Sequence, residues 1–178
     1  MPKSIEQLRR DAKALRRAYE AQDTAAAARI NTHVSDRKDP LKHADFLHVI
    51  SRENGHESWP KLAWAAETIG LDRAAKQERL KMALFHGQHW RVDQLLRATP
   101  DLAEGHFGLQ VALYDRAAVE AAVAEDPAIA TRAIGPRRPI LHLAFSRHIQ
   151  PPPDKQADML AIADLLLANG GDVNDGFP

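Results

Sequence analysis

Apolar residues recur at intervals of three and four along most of this chain, the spacing that places side chains on one face of an α-helix. From Ser4 to about Ala21, Ile5, Leu8, Ala12, Leu15 and Tyr19 form one stripe, and Ser4 with Gln7 fits a capping box. The opposite face carries Arg9, Arg10, Lys13, Arg16 and Arg17. No aromatic residues interleave with them, so they read as a solvated face rather than a nucleic-acid surface. Asp23 is placed to cap a second helix through Val34, anchored by Ile30 and Val34. Asp39 and Pro40 predict the start of a third, with Leu41, Ala44, Leu47 and Ile50 inward and Gly55 ending it. Ser58 and Pro60 open a fourth, with Leu62, Ala66 and Ile69 inward and Gly70 as stop. Trp59 and Trp64 are too large to stay wholly exposed, so at least one should seal the junction with the following helices. Leu71 to Gln77 reads as a charged, alanine-rich connection.

Beyond that connection the same period predicts helix pairs. Glu78 to His86 is an inner helix burying Leu80, Ala83 and Leu84; Gly87 turns the chain; Trp90 to Ala98 is an outer helix burying Val92, Leu95 and Leu96. Sliding the chain on itself aligns Met82–His86 with Val111–Asp115, and Thr99–Ala103 with Asp126–Ala130. The second offset is shorter by two, which predicts a shorter turn inside the second pair. A third pair lies between Pro139 and Asn174. Leu141, Ala144 and Phe145 line its first helix, and Met159, Ile162, Leu165 and Leu166 its second. Gly170 follows the last periodic residue, where a left-handed cap suits glycine. Ser146 to Asp158 predicts an insertion between these helices, held extended by Pro151, Pro152 and Pro153. Gly105-His106-Phe107-Gly108 suggests a hairpin turn.

Two of these stretches resemble a known family. Pro139-Ile140-Leu141-His142-Leu143-Ala144, followed by Gly170-Gly171-Asp172-Val173-Asn174, resembles the ankyrin repeat, which opens on T-P-L-H-x-A and closes on G-A-D-x-N. Pro139-Ile140 stands where threonine-proline is usual, and the two earlier pairs carry neither motif. The resemblance therefore implies three degenerate repeats at about 76–104, 105–131 and 132–175, with irregular loops at Asp101–Phe107 and Thr131–Arg138 in place of regular hairpins. It also implies that His142 hydrogen-bonds neighbouring backbone, and that His89 serves its turn in the same way. About the first 65 residues, through Glu53-Asn54-Gly55 and Ser58-Trp59-Pro60-Lys61-Leu62, are similar to the helical module that precedes ankyrin repeats in a group of bacterial proteins. Together these imply an all-α protein: a four-helix module at 1–75 and an α-solenoid at 76–178, sharing one continuous core. In the family, the residue that Asn174 matches leads into another repeat. The last helices here are strongly apolar, so a fragment of a longer repeat protein, or self-association through the C-terminal end, is expected, with Phe177 folding back as a lid the alternative.

Totals narrow the function. Lys plus Arg and Asp plus Glu both number 24, and zero net charge argues against bulk nucleic-acid binding. With no cysteine, a disulfide, a thiolate metal site or a cysteine nucleophile is excluded. No signal peptide or membrane-spanning run is evident, so a cytoplasmic location is the expectation. Histidine is the one unusual count, at nine, but His43 and His48 are five apart rather than the four that suits a shared metal. No nucleophile elbow, P-loop or dinucleotide fingerprint is present, so neither a catalytic residue nor a cofactor or metal is assigned.

The expected function is a non-catalytic scaffold that binds another protein on its inter-repeat loops and concave face. Contacts are expected at Phe107, Arg137, Arg138, Gln150, Pro151, Pro152 and Asp154: arginines for carboxylates, an exposed aromatic, and the proline loop. The alternatives are a small histidine-dependent or metal-binding enzyme, a nucleic-acid binder using the first helix, and a homo-oligomerising structural protein. Neither nucleic acid nor membrane is the expected partner.

Overall fold

A computed structural model describes residues 3–34, 40–149 and 153–176. Among them the protein is all-α, without a strand. The chain divides into two compact units, Met1–Leu71 and Asp72–Pro178.

The first unit contains α1 (Ile5–Glu20), α2 (Thr24–His33), α3 (His43–Glu53) and α4 (Trp59–Thr68), with α1 packed on the other three. Ser4 Oγ accepts the Gln7 amide at 3.2 Å, and Asp23 accepts that of Ala26 at 2.8 Å, so both helices start where free amides find an oxygen. The core joins Leu8, Ala12 and Leu15 to Ile30, Phe46, Val49, Ile50 and Leu62. Each of these side chains other than Ala12 contributes roughly 1.5–3 kcal/mol on burial.

Three expectations here need correction. Asp39 lies outside the described residues, and α3 starts at His43, where Asp45 accepts the Lys42 amide at 2.7 Å. Its buried stripe is Phe46, Val49 and Ile50, while Ala44 faces solvent: the larger side chains take the inward phase. Ile69 is 60% exposed because α4 ends before it, at Thr68. Trp59 packs against this unit's own core.

The second unit contains three helix pairs. They are α5 (Arg73–Phe85) with α6 (His89–Ala98), α7 (Phe107–Ala112) with α8 (Arg116–Glu125), and α9 (Pro139–Phe145) with α10 (Pro153–Ala168). A short 3-10 helix, Pro127–Ala130, follows α8. The Asp72 carboxylate accepts the Ala75 amide at 2.8 Å, so α5 begins well before the expected Glu78 and absorbs most of the connection. The inner helices stack as α5 on α7 on α9, and α8 packs on α10.

The first two pairs close identically. At the end of α5, Gly87 N–H donates to the Leu84 carbonyl and Gln88 N–H to that of Ala83, at 3.2 and 2.8 Å. At the end of α7, Tyr114 N–H donates to Val111 and Asp115 N–H to Gln110, at 3.1 and 3.0 Å. Both are left-handed C-terminal caps, with φ of 64° at Gly87 and 56° at Tyr114. Gly87 therefore corresponds to Tyr114, and Thr99 to Asp126 at the same separation of 27 residues. The expected shorter turn is not found. The apolar match had set Phe85 against Tyr114, whereas the backbone sets Gly87 there.

Other connections also differ from expectation. Gly105 to Gly108 is not a hairpin: His106 Nδ1 accepts the Leu109 amide at 3.3 Å and starts α7. Thr131–Arg138 contains a minimal hairpin, in which Ile134 N–H donates to Arg137 O at 2.7 Å across Gly135-Pro136. Asp101–His106 is turn-rich and tied to α5, with Arg73 Nη1 donating to Asp101 at 2.8 Å and Gln77 to the Leu102 carbonyl at 3.0 Å. The predicted insertion is shorter, because Pro153 already begins α10. Leu160 and Leu167 on α10 face solvent, and Phe177 lies outside the described residues.

Candidate functional site

The outer helices α6 and α8 of neighbouring pairs line a common space, to which α8 contributes Ala117, Ala118 and Glu120 and α6 contributes Asp93 and Leu96. The helices stand apart around an open groove of about 1100 Å³. Leu96, Pro100, Ala103 and Leu113 supply its apolar lining. Asp93, Glu104, Asp115, Glu120 and Asp158 supply carboxylates, and Arg116, Lys155 and His148 the basic groups.

One wall is built by the segment leaving α9. Ser146 Oγ donates to the Ala112 carbonyl at 2.6 Å and accepts the His148 amide at 3.2 Å. Arg147 N–H donates to Leu84 O at 3.0 Å, and Tyr114 Oη donates to Ser146 O at 3.2 Å. Lys155 Nζ reaches the Leu113 carbonyl at 3.4 Å. Ser146 and Lys155 thus supply donors to the Ala112 and Leu113 carbonyls at the end of α7, and Arg147 adds a second donor to the Leu84 carbonyl that the α5 cap already uses. It brings the His148 ring to 5.8 Å from Tyr114 and 6.3 Å from His89.

Tyr114 explains itself in this setting. A bulky residue with positive φ is strained, yet its side chain is only 1% exposed and anchors the wall. Burial raises the Tyr114 pKa, opposed by its bond to Ser146. Burial also lowers the pKa of His148, with Lys155 and His89 adding to the effect and Asp93 opposing it. Among the described residues no three His, Cys, Asp or Glu side chains are grouped to hold a metal ion.

The residues singled out from the sequence do not line this groove. Phe107 is 6% exposed, part of the core around Val111, Val119, Ile162 and Leu166, so it offers no aromatic to a partner. The Arg137 guanidinium lies over the rings of Phe85 and Phe145, at 5.4 and 5.2 Å from their centroids, and is engaged within the chain. Arg138 is exposed, with Nε 3.7 Å from Asp175 Oδ2. The hairpin thus brings Arg137 and Arg138 together, away from the groove. Gln150, Pro151 and Pro152 lie outside the described residues, and Asp154 is in the first turn of α10. A constant 27-residue register would have set α6 beside α8 and pointed to Asp93, Ala117 and Glu120.

His142 is buried next to Gly108. A Cβ at Gly108 would meet the imidazole at 2.9 Å, so only glycine lets α7 and α9 approach this closely. His142 Nε2 donates to the Ile134 carbonyl at 3.4 Å, a backbone contact of the kind expected for it. Burial lowers its pKa to about 4; the bond to Ile134 opposes this, and Arg137, His106 and Lys81 add to it.

No helix among the described residues is long and apolar enough to cross a membrane. Comparison of the chain with protein-family models, with curated proteins and with solved structures finds no match.

Proposed function

We propose that the second unit is a short solenoid of degenerate ankyrin-type repeats, that it binds another protein without catalysing a reaction, and that the groove between α6 and α8 is the contact site. One observation carries this reading: two helix pairs in constant register, whose outer helices leave an open groove of about 1100 Å³ walled by a hydrogen-bonded segment. Stacked helix pairs form extended binding surfaces of this kind. The contact site moves from the loops at Arg137 and Arg138 to this groove, because Arg137 and Phe107 are used internally.

The test is a groove block. Ala117 is exposed on the groove wall, so Ala117→Trp fills the space without removing a charge or a core side chain. Proteins retained by the wild-type chain on an affinity resin should be lost from Ala117→Trp and kept by Ala28→Trp, an exposed change on α2. Equal retention by both variants refutes the reading.

A further inference from the structure

The groove combines an apolar lining with acidic edges. Its apolar lining includes Leu96, Pro100 and Ala117, and Asp93, Glu104 and Asp158 stand around it. Among the described residues, these three carboxylates take no hydrogen bond or ion pair from the chain. Three other acids of the same unit are engaged: Asp101 by Arg73, Glu120 by Arg116 and Asp126 by Arg132. Of the basic groups beside the groove, Arg116 is paired with Glu120 at 2.6 Å, and Lys155, bonded to the Leu113 carbonyl at 3.4 Å, keeps its charge, so among the described residues the three free carboxylates outnumber the one free cation there. Acidic and basic residues number 24 each in the whole chain, so this excess is local and not a product of composition. An excess of one sign of charge around a low-dielectric cleft focuses the field into it.

An apolar lining with anionic edges complements a lysine or arginine side chain, which buries its aliphatic stem while its charged head stays at the rim. We infer that the groove docks a Lys/Arg-rich segment of the partner protein, stems over Leu96, Pro100 and Ala117, heads against Asp93, Glu104 and Asp158. The inference rests on the binding reading above and names the partner's chemistry. Nucleic-acid phosphates would be repelled by the same three carboxylates.

The probe is a fluorescein-labelled peptide of arginine, leucine and glycine, and its counterpart with glutamate for arginine. Both are titrated with the full chain by fluorescence anisotropy. The arginine peptide should bind and the glutamate peptide should not. The triple variant Asp93→Asn, Glu104→Gln, Asp158→Asn should weaken binding about tenfold, from three partly screened pairs. A control triple at exposed acids of the first unit, Glu6→Gln, Glu57→Gln, Glu67→Gln, removes the same charge and should leave binding unchanged. Thermal melts verify that both variants fold. Absence of arginine-peptide binding, an unaffected groove triple, or equal loss in both triples overturns the inference. If a retained protein that Ala117→Trp releases still binds the groove triple at full affinity, the scaffold reading stands and the cationic partner falls. If Ala117→Trp releases nothing, the scaffold reading itself falls.

Discussion

Acidification to about pH 5 should destabilise the second unit by about 2 kcal/mol through His142 alone. The imidazole is 4% exposed, pressed against Gly108, with the Ile134 carbonyl its polar contact. Burial, then the nearby Arg137, His106 and Lys81, disfavour the imidazolium and lower the pKa from 6.5 to about 4. The unfolded chain therefore takes up this proton first. Between those two values the unfolded state binds more protons, so stability rises with pH across that window. The contribution is complete above the unfolded pKa and is lost as pH falls through the folded one, a total of roughly 3 kcal/mol. Asp11, Glu53 and Asp101, whose pKa values are lowered by Lys3, Arg29 and Arg73, lose their contributions at lower pH. His148 shifts in the same direction as His142, so only a difference between variants isolates His142. The assay is urea unfolding at about pH 7.5 and 5, in a Trp59→Phe, Trp64→Phe background where Trp90 alone reports on the second unit. His142→Gln, whose amide can still donate to Ile134, should lose about 2 kcal/mol less than its parent between the two conditions. Equal losses would refute the argument from burial.

Two stability changes follow from packing. Gly108→Ala should destabilise by about 1–2 kcal/mol, although the same change in an open helix stabilises by about 0.5–1 kcal/mol, because its methyl would meet the His142 ring at 2.9 Å. A raised melting temperature would contradict the close approach. Ser146→Ala should cost about 1–3 kcal/mol, since it removes the partner of the buried Ala112 carbonyl and of the His148 amide. Hydrogen exchange at His148 should quicken, and unchanged protection there would show that the wall does not depend on this hydroxyl.

The helices were legible because helical periodicity is local: Leu8, Ala12 and Leu15 declare one face of α1, and Ser4 and Asp23 announce starts through bonds to amides three residues on. The phase was not always legible. In α3 both Leu47 and Phe46 are apolar, and only packing against α1 and α4 selects Phe46, Val49 and Ile50. Phe107 reads from the sequence as a loop aromatic, but His106 starts a helix there and turns it into the core. Tyr114 occupies a cap that glycine usually marks, so the 27-residue register was hidden behind an unsuitable residue type. The sequence by itself determined an all-α chain, the helix pairs, the turn at Gly87, the left-handed stop at Gly170, and the absence of cysteine chemistry. Only the tertiary structure decided that Arg137 lies over Phe85 and Phe145, and that α6 and α8 face each other across an open groove. Helix formation depends on neighbours three and four positions away, whereas a groove depends on what two distant faces present to each other.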